Sequence, residues 1–212
     1  MCSQYRLISF KILQFFSLLL LVSLPIWVIR FDVLVLKNNI PEQSATEYIE
    51  QLLLLGTALC YAYIGWVSRY HRRVAVLVSA FFTCMFIREL DSFFDQYIHH
   101  GFWVVPALII AIFAIGYSLT DRKNTRLNLE KFSNNNNFSL LCLGLAILLV
   151  FSRLFGMGSF WHQLMGDDYI RVVKNIAEEG TELLGYTIIF YASVNYLISY
   201  LKIPINYKYI KH

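Results

Sequence analysis

The stretch Phe102–Leu119, FWVVPALIIAIFAIGYSL, decides the fold class: eighteen consecutive residues pass without one charged side chain. Crossing the hydrocarbon core of a bilayer takes roughly 20 mostly apolar residues, and a run of this kind reads as a candidate transmembrane helix. The chain around it has the same character. Of its 212 residues 58% are hydrophobic and 15% charged, with a mean hydropathy of +0.54, where a soluble domain carries about 25% charge. A soluble α/β enzyme, a disordered chain, a secreted disulfide scaffold and a nucleic-acid-binding domain are poor readings of such a composition.

Five more runs of similar length flank this one. They cover about 8–29, 45–67, 74–97, 138–154 and 170–201, the last beginning with one or two polar turns. With 102–119 they predict an all-α, polytopic integral membrane protein of six transmembrane helices in one bundle and one domain, residues 1–212. The first run follows Arg6 and contains Lys11, as a secretory signal would. Its length, and the lack of a small-x-small cleavage site after Trp27, Val28 and Ile29, read instead as a retained anchor. The linkers Asn38–Ser44 with Pro41, Arg69–Arg73 and Asp121–Asn137 are too short for a second domain. Cys2, Cys60, Cys84 and Cys142 have no C-x-x-C or C-x-x-H spacing and read as small packing residues.

Basic residues in short loops mark the cytoplasmic side. With the N-terminus inside, the inner segments hold Arg6, Lys11, Arg69, Arg72, Arg73, Arg122, Lys123, Arg126, Lys131, Lys202, Lys208 and Lys211 against Asp121 and Glu130, a net charge of +10. The outer half holds six basic residues against twelve acids, a net charge of −6. The expectation is a plasma or bacterial inner membrane protein with both termini cytoplasmic. Lys208 and Lys211, with Tyr207 and Tyr209, read as an interfacial tail on the inner side.

Those outer acids gather at the ends of three runs. Glu47 and Glu50 open the second, Arg88, Glu89, Asp91 and Asp95 close the third, and Glu178, Glu179 and Glu182 lead into the sixth. Ionisable groups at membrane depth are costly unless they pair or face a polar interior, so they mark a candidate functional site. On a continuous helix Arg88, Asp91, Asp95 and His99 share one face, with Glu89 about a quarter-turn off it. Oxygen and imidazole donors on facing helices are how helical bundles hold metals. Asp91, Asp95, His99 and Glu182 are therefore the candidate ligands of a divalent metal, with His100 and His162 as possible further donors. Arg88, Glu50 and Glu89 form a candidate structural ion pair, and Arg88 is expected to meet Glu50 or Glu182. Glu178 and Glu179 are candidate catalytic acid–base groups. Gly156, Gly158, Phe160 and Trp161 suggest a short re-entrant or interfacial segment that returns His162 toward the acids.

No phosphate-binding loop, nucleophile elbow or clear inverted repeat is present in the sequence. The expected function is a noncatalytic membrane subunit or sensor with an acidic outer face, in contact with membrane lipid and with a protein partner or a second copy, and not with nucleic acid. One alternative is a metal-dependent membrane-embedded hydrolase or transferase acting on a lipid or lipid-linked group. The other is a small cation- or proton-coupled transporter or channel. Acids gathered around one point favour the enzyme, acids splayed outward favour partner binding, and a polar path to the inner side favours the transporter.

Overall fold

Ser44 starts a 23-residue helix. Its Oγ accepts from the backbone N–H of Glu47 at 3.2 Å, the S-x-x-E arrangement of a capped N-terminus, and α3 follows over Ala45–Val67. Asp121 caps α7, Arg122–Ser133, by accepting from Asn124 N, and Asn135 caps α8, Asn136–Ala146, by accepting from Asn137 N. The asparagine tract is thus a helix start. The computed structural model describes residues 2–37 and 44–202. Pro41 and Glu42 in the first linker, and the tail with Tyr207, Lys208, Tyr209 and Lys211, lie outside the described residues.

The described chain is all-α, with no strand. It opens with α1, Cys2–Val22, bends at Ser23 just before Pro25, and continues as α2, Leu24–Arg30, into a π-helical segment, Phe31–Leu36. Next come α3 and α4, Arg72–Glu89, then the short α5, Asp91–Tyr97, and α6, Val104–Leu119. Beyond α7, helix α8 runs through a second π-helical segment, Ile147–Phe151, into α9, Ser152–Gly156. The short α10, Gly158–Met165, leads to the 31-residue α11, Arg171–Leu201.

The long pieces pack in the lateral order α6, α4, α3, α11, α8, with α1 and α2 against α11. The centre is the α3–α11 seam, where Leu54, Tyr61, Ile64, Leu183, Tyr186 and Ile189 are fully buried. On the far side of α11, α8 comes close because both partners are glycine at the crossing. A Cβ on Gly144 would lie 2.8 Å from Ile189 Cγ1, and one on Gly185 would lie 3.1 Å from Leu148 Cβ. Small residues permit this kind of backbone approach in bundles that cannot rely on water to drive helices together.

The outside of the bundle is as apolar as its inside. Leu20, Ile112, Phe113 and Val150 are 76, 68, 71 and 71% exposed, while Asp32, Glu50, Thr57, Ser152, Thr187 and Ser193 are 1% exposed or less. Four helical stretches, Ile8–Leu36, Ala45–Val67, Asn136–Gly156 and Arg171–Leu201, are long and apolar enough to cross a membrane, and α6 with α7, bent by 105°, makes a fifth if counted as one. That pattern is compatible with a membrane as the surrounding solvent. The third of the six expected runs is not among these stretches. Its polar positions Arg72, Arg73, Ser79, Thr83, Arg88 and Glu89 keep α4 below that apolarity, although it packs between α3 and α6. The third run is also not one helix: it stops at Leu90 (φ −95°, ψ 16°) and restarts as α5.

Candidate functional site

Three carboxylates meet at one end of the bundle. Glu50 comes from the second turn of α3, Glu89 is the last residue of α4, and Glu182 lies in α11. One oxygen from each lies within 4.8 Å of the other two, so the trio could hold a metal ion. Glu50 and Glu182 are buried, 1 and 7% exposed. Glu47 and Glu179 lie close enough to add like charge.

Two guanidiniums and two hydroxyls reach the trio. Arg88 Nη1 lies 3.1 Å from Glu89 Oε1, and Tyr186 donates its hydroxyl to the same oxygen at 2.9 Å. Arg153 Nη2 lies 3.3 Å from Glu182 Oε1, which also accepts from Ser152 Oγ at 3.1 Å. Glu50 Oε1 alone of these oxygens is buried without a hydrogen-bond partner. Glu89 and Glu182 each have a guanidinium partner, and Glu50, which has none, is the most deeply buried of the three.

A second buried carboxylate holds α3 in place. Asp32, on the first turn of the π-helical segment Phe31–Leu36, accepts from Ala45 N at 3.0 Å, Thr46 N at 2.8 Å and Thr46 Oγ1 at 2.6 Å. It thus binds the N-terminal N–H groups of α3, whose dipole favours a negative charge there. Beside the trio a cavity of about 240 Å³ is lined by Tyr48, Gln51, Leu90, Ser92, Phe93, Gln96 and Tyr97. Gln51 links the two, donating from Nε2 to Glu89 O at 3.3 Å.

Not all the acids expected from sequence take part. The break at Leu90 removes the shared face, so that Glu89, expected a quarter-turn off it, is the residue of this segment that points inward. Asp91 lies exposed on α5, accepting from Ser92 N at 2.7 Å. Asp95 pairs with the exposed His100 at 2.6 Å and holds that imidazole above its usual pKa, while His99 Nδ1 sits 3.0 Å from His100 O. Asp91, Asp95 and His99 are thus not brought to Glu182. Arg88 meets its neighbour Glu89 instead of the expected Glu50 or Glu182. Glu178 is engaged by Lys174 at 2.5 Å, and Glu179 stays beside Glu182. The chain breaks at Met157 between α9 and α10, where Trp161 is buried with Nε1 donating to Phe155 O at 2.6 Å. His162 rests against Tyr169, ring centroids 3.9 Å apart, and does not reach the acids.

At the opposite end His71 accepts or donates at Nδ1 to Ser68 Oγ, 3.1 Å away. Burial and then the charge of Lys131 push its pKa down to about 4, which leaves it neutral at pH 7. Comparison with family models, with curated proteins and with solved structures finds no match for this chain.

Proposed function

We propose that the chain is a six-span integral membrane protein, both termini cytoplasmic, that works as a metal-dependent hydrolase or transferase on a lipid or lipid-linked group at the outer leaflet. The observation that carries this reading is the convergence of Glu50, Glu89 and Glu182 from three helices, with Glu50 Oε1 buried and unpartnered among them. Carboxylate oxygens suit hard divalent ions such as Mg²⁺, Mn²⁺ and Ca²⁺. Ligand oxygens around such an ion stand roughly 3 to 5 Å apart at ordinary coordination distances. The bound ion would polarise a carbonyl or phosphoryl oxygen, or a water. Glu179 is the acid–base candidate beside it, and the polar cavity at Gln51 gives a headgroup room. Acids turned into the bundle fit an enzyme better than a sensor or subunit that offers an acidic face to a protein partner.

Two measurements test it. Reporter fusions after Arg126 and Lys202 should read cytoplasmic and one after Asp167 external; a cytoplasmic Asp167 would place the centre on the wrong side and defeat the outer-leaflet reading. Purified protein should carry a divalent metal by elemental analysis. With that metal, and not with chelator, it should alter one class of a membrane lipid extract by mass spectrometry. Glu89→Gln and Glu182→Gln should each cut that turnover by at least about a hundredfold, since positioning partners of metal ligands alone cost ten- to a hundredfold. No metal-dependent change in any lipid class returns the protein to the noncatalytic reading.

A further inference from the structure

We propose that the rim of the carboxylate centre binds a phosphate group, gripped by Arg88 and Arg153; this rests on the cation reading given above. Each guanidinium stands between the surface and the trio, with side chains 39 and 44% exposed, while the carboxylates they touch, Glu89 and Glu182, are 11 and 9% exposed. One comes from the last turn of α4 and the other from α9, and the two engage different members of the same trio. Neither is fixed by burial, so each can turn outward.

The charge balance says when they turn. A divalent ion held by the trio adds two positive charges beside these guanidiniums. The ion then competes with Arg88 for the Glu89 carboxylate and with Arg153 for the Glu182 carboxylate, each of which a guanidinium now holds. Released from them, the two guanidiniums have lost their carboxylate partners, and a phosphate group supplies oxygens to both. Planar five-donor forks bind phosphate oxygens in pairs, a geometry that lysine cannot reproduce. At headgroup depth the available phosphate belongs to a lipid or arrives free from solution.

The test uses the full chain in detergent loaded with Mn²⁺. Its probes are inorganic phosphate and a short-chain phosphatidic acid, with the matching diacylglycerol as the phosphate-free control, and binding is read by calorimetry. Mn²⁺-loaded protein should bind a phosphate probe and not the diacylglycerol. Binding of phosphatidic acid alone assigns a lipid phosphate, and binding of inorganic phosphate alone or of both assigns a site open to solution. Arg88→Gln and Arg153→Gln should each weaken phosphate binding about tenfold or more. Their affinity for Mn²⁺ should be unchanged or tighter, because each variant removes a competitor for a ligand oxygen; a merely structural role would weaken Mn²⁺ binding too. If the glutamine variants do not fold, the paired Arg88→Lys and Arg153→Lys variant keeps the charge and should still lose phosphate affinity with the fork. Mn²⁺-loaded protein that binds neither phosphate probe, or binds as well without both arginines, overturns the inference and leaves the metal centre standing. Wild-type protein that takes up no Mn²⁺ overturns the metal reading, and this inference with it.

Discussion

Glu50→Gln is expected to be more stable than the wild type in chelator and less stable in millimolar divalent cation. Glu50 Oε1 is buried without a partner among carboxylates that outnumber their guanidiniums. A buried polar group left unsatisfied costs about 1 to 3 kcal/mol, and more when charged. The amide removes the surplus negative charge while keeping nearly the same volume, so in chelator the variant should gain on that order. A cation that binds only the folded wild type adds roughly 2.7 kcal/mol at a hundred times its Kd. The amide is a poor ligand for it and should not share that gain. The two melting curves should therefore change order when metal is added, a crossing that loss of packing alone does not produce. If Glu50→Gln melts lower than the wild type in chelator, the wild-type carboxylate is satisfied by something other than a cation and the metal reading loses its main support.

The parts of this architecture that were legible in the sequence are those that depend on apolar runs. Phe102–Leu119 passes without a charge, whereas the caps at Ser44 and Asp121, and all of α7, lie in stretches that read as linkers because their residues are mostly polar. The gathering of Glu50, Glu89 and Glu182 at one end could also be expected, because each lies at the polar end of an apolar run. Which acids face inward was not legible, since that depends on helical phase, and phase is lost in three places. Leu90 breaks the third run without a glycine or proline to mark the stop, so a period carried from Arg88 to Asp91 and Asp95 describes a face that does not exist. The two π-helical segments, Phe31–Leu36 and Ile147–Phe151, each accommodate extra residues in a turn, and one extra residue turns all that follows by about 100°. The first segment carries Asp32 and the second delivers Ser152 and Arg153. In the sequence Asp32 and Arg153 counted only toward the charge of the outer half. Hydropathy cannot see such an insertion, because every residue from Ile147 to Phe151 is apolar. A buried acid just before a linker, and an arginine just after an apolar run, were the signals present.

Asp32→Ala should be the most destabilising single substitution outside the trio, and its effect should reach the carboxylate trio. The carboxylate is fully buried and, among the described residues, takes three donors from the first turn of α3, thirteen and fourteen positions further along the sequence. Alanine leaves Ala45 N, Thr46 N and Thr46 Oγ1 to find other acceptors where water is scarce, and removes the negative charge from a helix N-terminus. Removing one partner of a buried charged interaction costs about 3 to 5 kcal/mol, which for a chain of this length lowers the thermal midpoint by roughly 6 to 20 °C. Asp32→Asn retains an acceptor oxygen without the charge and should recover about half of that loss. Because Glu50 lies one turn beyond Thr46, an α3 that is no longer anchored at its start holds Glu50 less closely to Glu89 and Glu182. Mn²⁺ affinity should accordingly fall in Asp32→Ala and return in part in Asp32→Asn, in step with stability. A variant that melts much lower yet binds Mn²⁺ as the wild type does would show that the trio is positioned by the α3–α11 seam alone, and that Asp32 serves the linker rather than the site.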